Sequence, residues 1–195
     1  MSRRLAWREY AKARFGCRPR RRAQKLSELE IVAVNAGCKL CSSLLIEAWL
    51  ANARFFGIDP DLLFVSELDG KKCKHGRFAV PGYVVWRHWA GPGSRAMAII
   101  IKSSVLPFVK WRRWSGRASG LLLGDESGGR LFLAGVHCAH GLPLLQQSLS
   151  DLVGLLRAKP RMVPWAALGD WNIDLLPSMQ GDPICRMCRQ SFAPC

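Results

Sequence analysis

The run Trp165-Ala166-Ala167-Leu168-Gly169-Asp170-Trp171-Asn172 reads as a short apolar strand that breaks off in a polar tip. Pro164 to Leu168 would be buried, and Asp170 and Asn172, two residues apart, would point the same way on extended chain. That is a way to mount a rigid polar site on a strand end. Taken alone, the same residues are equally an ordinary strand followed by an Asx-type turn, in which Asp and Asn bond their own backbone.

Working outward from this run, three earlier strands end in the same manner. Glu30 to Asn35 is an apolar stretch closing on Asn35. Ser42-Ser43 can cap a helix from Leu44 to Phe56, with Leu45, Trp49 and Ala53 at i, i+4 spacing, and Gly57 stops it. After the turn Asp59-Pro60-Asp61, Leu62 to Glu67 is a second buried strand, ending on Glu67. Strand, helix and strand of these lengths make a parallel crossover unit. Residues 69–77 read as a basic loop, and Gly82 to Trp89 and Ala96 to Lys102 as strands around Gly91-Pro92-Gly93. Gly120 to Gly124 and Arg130 to His137 form a hairpin around Asp125 to Gly129, the second strand ending in His137-Cys138-Ala139-His140. A helix from Leu142 to Lys159 carries Leu144, Leu145, Leu149, Leu152, Leu155 and Leu156 on one face, and Val163 to Leu168 leads to Asp170. Ligand and catalytic groups collect at strand ends in layered α/β folds. One such ending is ordinary; Asn35, Glu67, His137 and Asp170 with Asn172 make four.

The chain has 195 residues, enough for one domain with a substantial core. Apolar residues are 49%, which excludes a disordered composition, and no apolar run approaches a membrane span. No apolar block follows the basic start, so the expected setting is intracellular. The formal net charge is +15, and residues 1–25 alone hold ten Lys/Arg against one acid, Glu9. Such charge calls for a polyanion: nucleic acid first, DNA ahead of RNA, an anionic membrane surface second. Residues 1–27 read as a basic, disordered arm, with a nucleic-acid-binding arm, a nuclear import signal or an organelle address as functional alternatives. Lys110-Trp111-Arg112-Arg113-Trp114 interleaves cations with aromatics, as does Trp86-Arg87-His88-Trp89, and both suit phosphate pairing and base stacking. The bland alternative is aromatics covering a sheet edge beneath Arg stems. Of the eight cysteines, Cys38/Cys41 and Cys185/Cys188 have zinc-ligand spacing, but over 140 residues separate the pairs, and reduced thiols packed as small hydrophobes are expected.

Asn35, Glu67 in "FVSELDG", His137 in "GVHCAH" and Asp170 with Asn172 in "GDWN", in that order, resemble the endonuclease/exonuclease/phosphatase superfamily. The resemblance spans residues 28–175, with "DPDLLFVSE" and "LGDWN" its specific parts. It implies a four-layer α/β sandwich, two mixed sheets face to face with helices outside, over 28–182. It implies further that Glu67 is the principal carboxylate for Mg²⁺ (or Mn²⁺) and that Asn35 supports metal and phosphate. Asp170 would orient or activate the attacking water, Asn172 would bind phosphate, and His137, with His140 as a second candidate, would contact the scissile phosphate. The chemistry is consistent: Mg²⁺ needs only one or two protein carboxylates, and phosphodiester cleavage needs an oriented water and donors for developing charge.

The sequence departs from the family near its end. Members close with another strand-end Asp and a Ser-Asp-His, whereas the 23 residues after Asn172 contain no His, and Asp174 and Asp182 stand in the wrong setting. Gly37 replaces the second acid that some members have after the Asn. The closing strands are therefore expected to be missing, with 183–195 a Cys/Arg-rich tail unlike them. Three functions follow: a metal-dependent nuclease, an inactive nucleic-acid-binding relic or fragment of the same fold, and a phosphatase acting on inositol phosphate or another small phosphoester.

Overall fold

The computed structural model describes residues 26–38, 40, 42–69, 75–89, 91, 95–138 and 142–171. The expectations for 1–25 of the basic arm, for His140, for Asn172 and for the tail fall outside them. After a 3-10 turn at Leu26–Glu28, the elements run β1 (Ile31–Asn35), α1 (Ser43–Phe55), β2 (Leu62–Leu68), β3 (Gly76–Val80), β4 (Tyr83–His88) and β5 (Ala96–Lys102). Then come a 3-10 turn at Leu106–Phe108, β6 (Val109–Ser115), β7 (Ala118–Gly124), β8 (Arg130–His137), α2 (Leu142–Ala158) and β9 (Trp165–Asp170).

The strands form two mixed sheets. One has the order β1-β2-β5-β4-β3, the other β6-β7-β8-β9. β1 runs parallel to β2 and β8 parallel to β9, each pair joined through a helix, and the remaining neighbours are antiparallel. α1 begins where its sequence dictates, with the Ser42 hydroxyl accepting from Leu45 N at 3.2 Å.

Burial follows strand alternation. In the first sheet Leu63, Val65, Tyr83, Val85, Ala98 and Ile100 pack under Ile46 and Leu50 of α1, while Leu62, Phe64, Val84, Trp86, Ile99 and Ile101 face the other sheet. In the second, Leu121, Leu123 and Leu133 meet that inner face, and Leu122, Phe132, Ala134 and Val136 pack under Leu145, Leu149, Leu152 and Leu155 of α2. The layers are therefore helix, sheet, sheet, helix. Strands covered on both faces explain the continuous runs such as Ile99-Ile100-Ile101.

Two strands differ from the sequence reading. The basic loop ends before β3, because Gly76 to Val80 pair with β4 from Arg87 to Tyr83. Lys110 to Trp114 form the body of an edge strand, β6, paired with β7. Local composition signals a loop or patch in both places; cross-strand pairing within the tight β3–β4 and β6–β7 hairpins makes them strands.

Candidate active site

Asn35, Glu67, His137 and Asp170 all stand at the ends of strands that reach the same rim of the sandwich, two from each sheet. Alternation sends three of them inward. His137 follows Leu133 and Gly135 on the inner face of β8, Asp170 follows Leu168 on that of β9, and Asn35 follows Ile31 on that of β1. β8 and β9 are in register at this point, His137 opposite Asp170. The strand at 165–170 thus continues two residues beyond Leu168, so Asp170 is its last paired residue rather than part of a following turn.

Glu67 needs a special device. Two residues after Val65, regular alternation would turn it outward beneath α1. Instead the β2–β5 register shifts between Val65 and Leu68, and Glu67 has φ 55°, in the left-handed region. This bulge re-aims the side chain toward the second sheet. The Cys38 N–H donates to the Glu67 carbonyl at 2.7 Å and holds the strained residue in place. Left-handed backbone at a non-glycine costs on the order of 1–2 kcal/mol and clusters at functional sites.

Two hydrogen bonds then cross from sheet to sheet. Asn35 Nδ2 donates to Asp170 Oδ2 at 2.6 Å, and His137 Nε2 lies 3.1 Å from Glu67 Oε1. The Asn35 carbonyl oxygen accepts from Gly37 N at 2.9 Å, which fixes the amide so that its NH₂ faces Asp170. The imidazole is buried, and burial lowers its pKa more than the charges of Glu67 and Asp170 raise it. A neutral ring facing an ionised carboxylate can only donate, so Nε2 carries the proton. Each carboxylate is therefore oriented by a neutral donor from the opposite sheet.

Ligand atoms of Glu67, His137 and Asp170 lie within 4.8 Å of one another. Two carboxylates this close repel unless a cation lies between them. Hard oxygen donors with few protein ligands suit Mg²⁺ or Mn²⁺. Since His137 Nε2 is committed to Glu67, the two carboxylates are the better ligand pair and the imidazole their support.

Gly169 makes the last pairing feasible. It has φ 145°, and a Cβ there would run into the Val136 carbonyl oxygen. The close approach lets Cys138 N donate to the Asp170 carbonyl at 2.8 Å. The sequence carried this signal, a glycine directly before the site carboxylate.

The cations and aromatics of β6 divide between its faces. Trp111 is tilted against Phe132 at 5.8 Å and packs with the α2 cluster, while Arg112 lies over the Trp86 ring at 4.4 Å and Trp114 stacks on His88 at 5.0 Å. Lys110, Arg112 and Arg113 are exposed. Sequence reasoning missed the meeting of Trp114, His88 and His75, because they come from one strand of each sheet and the bend before β3.

Among solved structures the chain is similar to an AP endonuclease from Archaeoglobus fulgidus (TM-score 0.52, 15% identity, 84% of this chain and 68% of that one). It is similar also to ANGEL2, a 2′,3′-cyclic phosphatase (TM-score 0.52, 15% identity, 73% and 46%). A third is an endonuclease/exonuclease/phosphatase family protein from Leptotrichia buccalis (TM-score 0.50, 11% identity, 84% and 72%). The fold is that of the endonuclease/exonuclease/phosphatase superfamily. No family model matches the sequence, and no curated protein matches it. The chain spans under half the length of ANGEL2 and about two thirds of the AP endonuclease. Among the described residues, no helix is long and apolar enough to cross a membrane.

Proposed function

We propose that this protein hydrolyses phosphodiester bonds in nucleic acid with the help of Mg²⁺ or Mn²⁺. The observation that supports this is the convergence, across two sheets, of Glu67 and Asp170 with a neutral donor on each. The likeness to an AP endonuclease and a cyclic phosphatase points to phosphoester chemistry on this fold. The +15 charge favours a polyanionic strand over a small phosphoester, with DNA ahead of RNA and a nuclear place of action.

Glu67 and Asp170 would hold the cation, which would supply Lewis-acid polarisation of the phosphate and charge neutralisation. Asp170, anchored through Oδ2 by Asn35, orients the attacking water and accepts its proton as the new P–O bond forms. The leaving oxygen takes its proton from solvent. His137 keeps Glu67 in place by donation from Nε2 and excludes water beneath it. Asn172 follows two residues after Asp170 as a phosphate donor, and Lys110, Arg112 and Arg113 attract the strand.

The test is nicking of supercoiled plasmid with added Mg²⁺ or Mn²⁺, beside hydrolysis of inositol phosphates and cyclic nucleotides. Glu67→Gln and Asp170→Asn should each lower nicking about 100-fold or more, and EDTA should abolish it reversibly. Cleavage unchanged in both variants overturns the site. Salt-dependent binding without turnover supports the binding relic instead, and turnover of soluble phosphoesters alone supports the phosphatase.

A further inference from the structure

The seam between β6 and the β3–β4 edge is chemically incomplete. Arg112 of β6 and Arg77 of β3 both lie over the ring of Trp86, at 4.4 and 5.7 Å from its centroid. Burial lowers the pKa of both guanidinium groups, and the charge of Arg112 lowers that of Arg77 further, so the two repel. Arg112 has no carboxylate partner among the described residues. The Trp86 indole Nε1–H, buried beside them, has no acceptor among the described residues. Next to this group, His88 is stacked on Trp114, with its Nδ1 3.3 Å from Nδ1 of His75. A repelling cation pair, an unbalanced guanidinium and an orphaned donor are all satisfied by one species, an anion with several acceptor oxygens.

The strand registers place His88 and the end of β6 on the same rim as the candidate active site, with Trp86, Arg77 and Arg112 two to three residues further in along their strands. Leu68 at the end of β2 pairs with Ala96, Met97 with His88, and Arg87 with Gly76. In the second sheet Val136 pairs with Ala118, and Ala118 with Ser115 at the end of β6. β4 is two strands from β2 and β6 two strands from β8, about 10 Å across the strands, and the depth of Trp86 and Arg112 below the rim adds about 7–10 Å along them.

We propose that this seam is a phosphate-binding subsite in which Arg112, Arg77 and the Trp86 indole N–H, flanked by His88, hold a backbone phosphate of the substrate strand. The identity of the strand rests on the nuclease reading above; the anion site rests on the seam itself. The subsite gives the protein grip on a polymer extending beyond the cleaved bond, and none on a small diester too short to reach it.

The test separates binding from turnover. In EDTA, a fluorescein-labelled oligonucleotide is titrated by fluorescence anisotropy onto wild type and onto Arg112→Met, whose side chain still covers Trp86 but lacks the charge. The variant should bind about tenfold more weakly, and the slope of log affinity against log salt should fall by about 0.7 to 0.9. Unchanged oligonucleotide affinity and slope overturn the subsite. A second measurement needs no Arg variant: the Trp86 indole N–H resonance, assigned with Trp86→Phe, should move downfield when oligonucleotide saturates the wild type. A stationary resonance overturns the proposal. If wild type binds the strand through Arg112 yet cleaves no phosphoester, the subsite stands and the nuclease reading falls.

Discussion

At the residue scale, the site combines strain and repulsion that folding alone would not select. Glu67 adopts φ 55° and its carboxylate faces that of Asp170. Glu67→Gln still accepts from His137 Nε2 while removing one negative charge. We expect the variant, without divalent metal, to melt at or above the wild-type temperature, by up to about 1 kcal/mol of added stability. Mg²⁺ or Mn²⁺ at 100 times its Kd should stabilise wild type by about 2.7 kcal/mol and leave the variant unmoved. A thermal melt series with and without metal checks both; an equal metal shift in the two proteins would remove Glu67 from the ligand set. The identity of these residues was legible in the sequence as polar endings of apolar strands. The bulge at Glu67 was not, since "VSEL" contains no glycine or other mark of left-handed backbone.

At the scale of elements, the two sheets approach closely where they share the site. A Cβ on Gly135 of β8 would strike the Phe64 ring of β2 and the Ser119 hydroxyl of β7. Gly135→Ala should therefore push the sheets apart at the rim and cost about 1–3 kcal/mol, read from the urea midpoint. It should also lower hydrolysis, because the Asn35–Asp170 and His137–Glu67 hydrogen bonds both span that gap. A variant with wild-type stability would show that the gap relaxes freely. The crossover unit, the β7–β8 hairpin and α2 were legible from periodicity and turn residues. β3 was not, because its five residues gain their order from pairing with β4 rather than from their own pattern.

At the scale of the whole molecule, a polar network ties the end of α1 to the first sheet. Asp59 accepts from Lys102 Nζ at 2.6 Å, from Tyr83 Oη at 3.0 Å and from Arg54 Nε at 3.1 Å. Partial burial pushes its carboxyl up, but these donors, Lys102 first, outweigh burial and hold it below the ordinary value of 3.8. The unfolded chain then binds the proton more tightly than the folded one. Asp59 thus contributes stability that is fully present above about pH 3.8 and is lost as the pH falls through its lower folded value. Urea midpoints at about pH 3 and about pH 6 should differ more for wild type than for Asp59→Asn. Equal differences would show that the network is already broken by solvent.

By itself, the sequence determined the layered α/β class, the parallel crossover and the strand-end residues Asn35, Glu67, His137 and Asp170. Those are consequences of local periodicity, capping and burial, which any short window carries. The tertiary structure alone decided that β1 and β2 face β9 and β8, and so that Asn35 meets Asp170 across 135 residues and Glu67 meets His137 across 70. It also brought Arg77, Trp86 and Arg112 to one seam. Contacts between sheets depend on how two finished surfaces dock, and no local pattern in the chain specifies which side chains then touch.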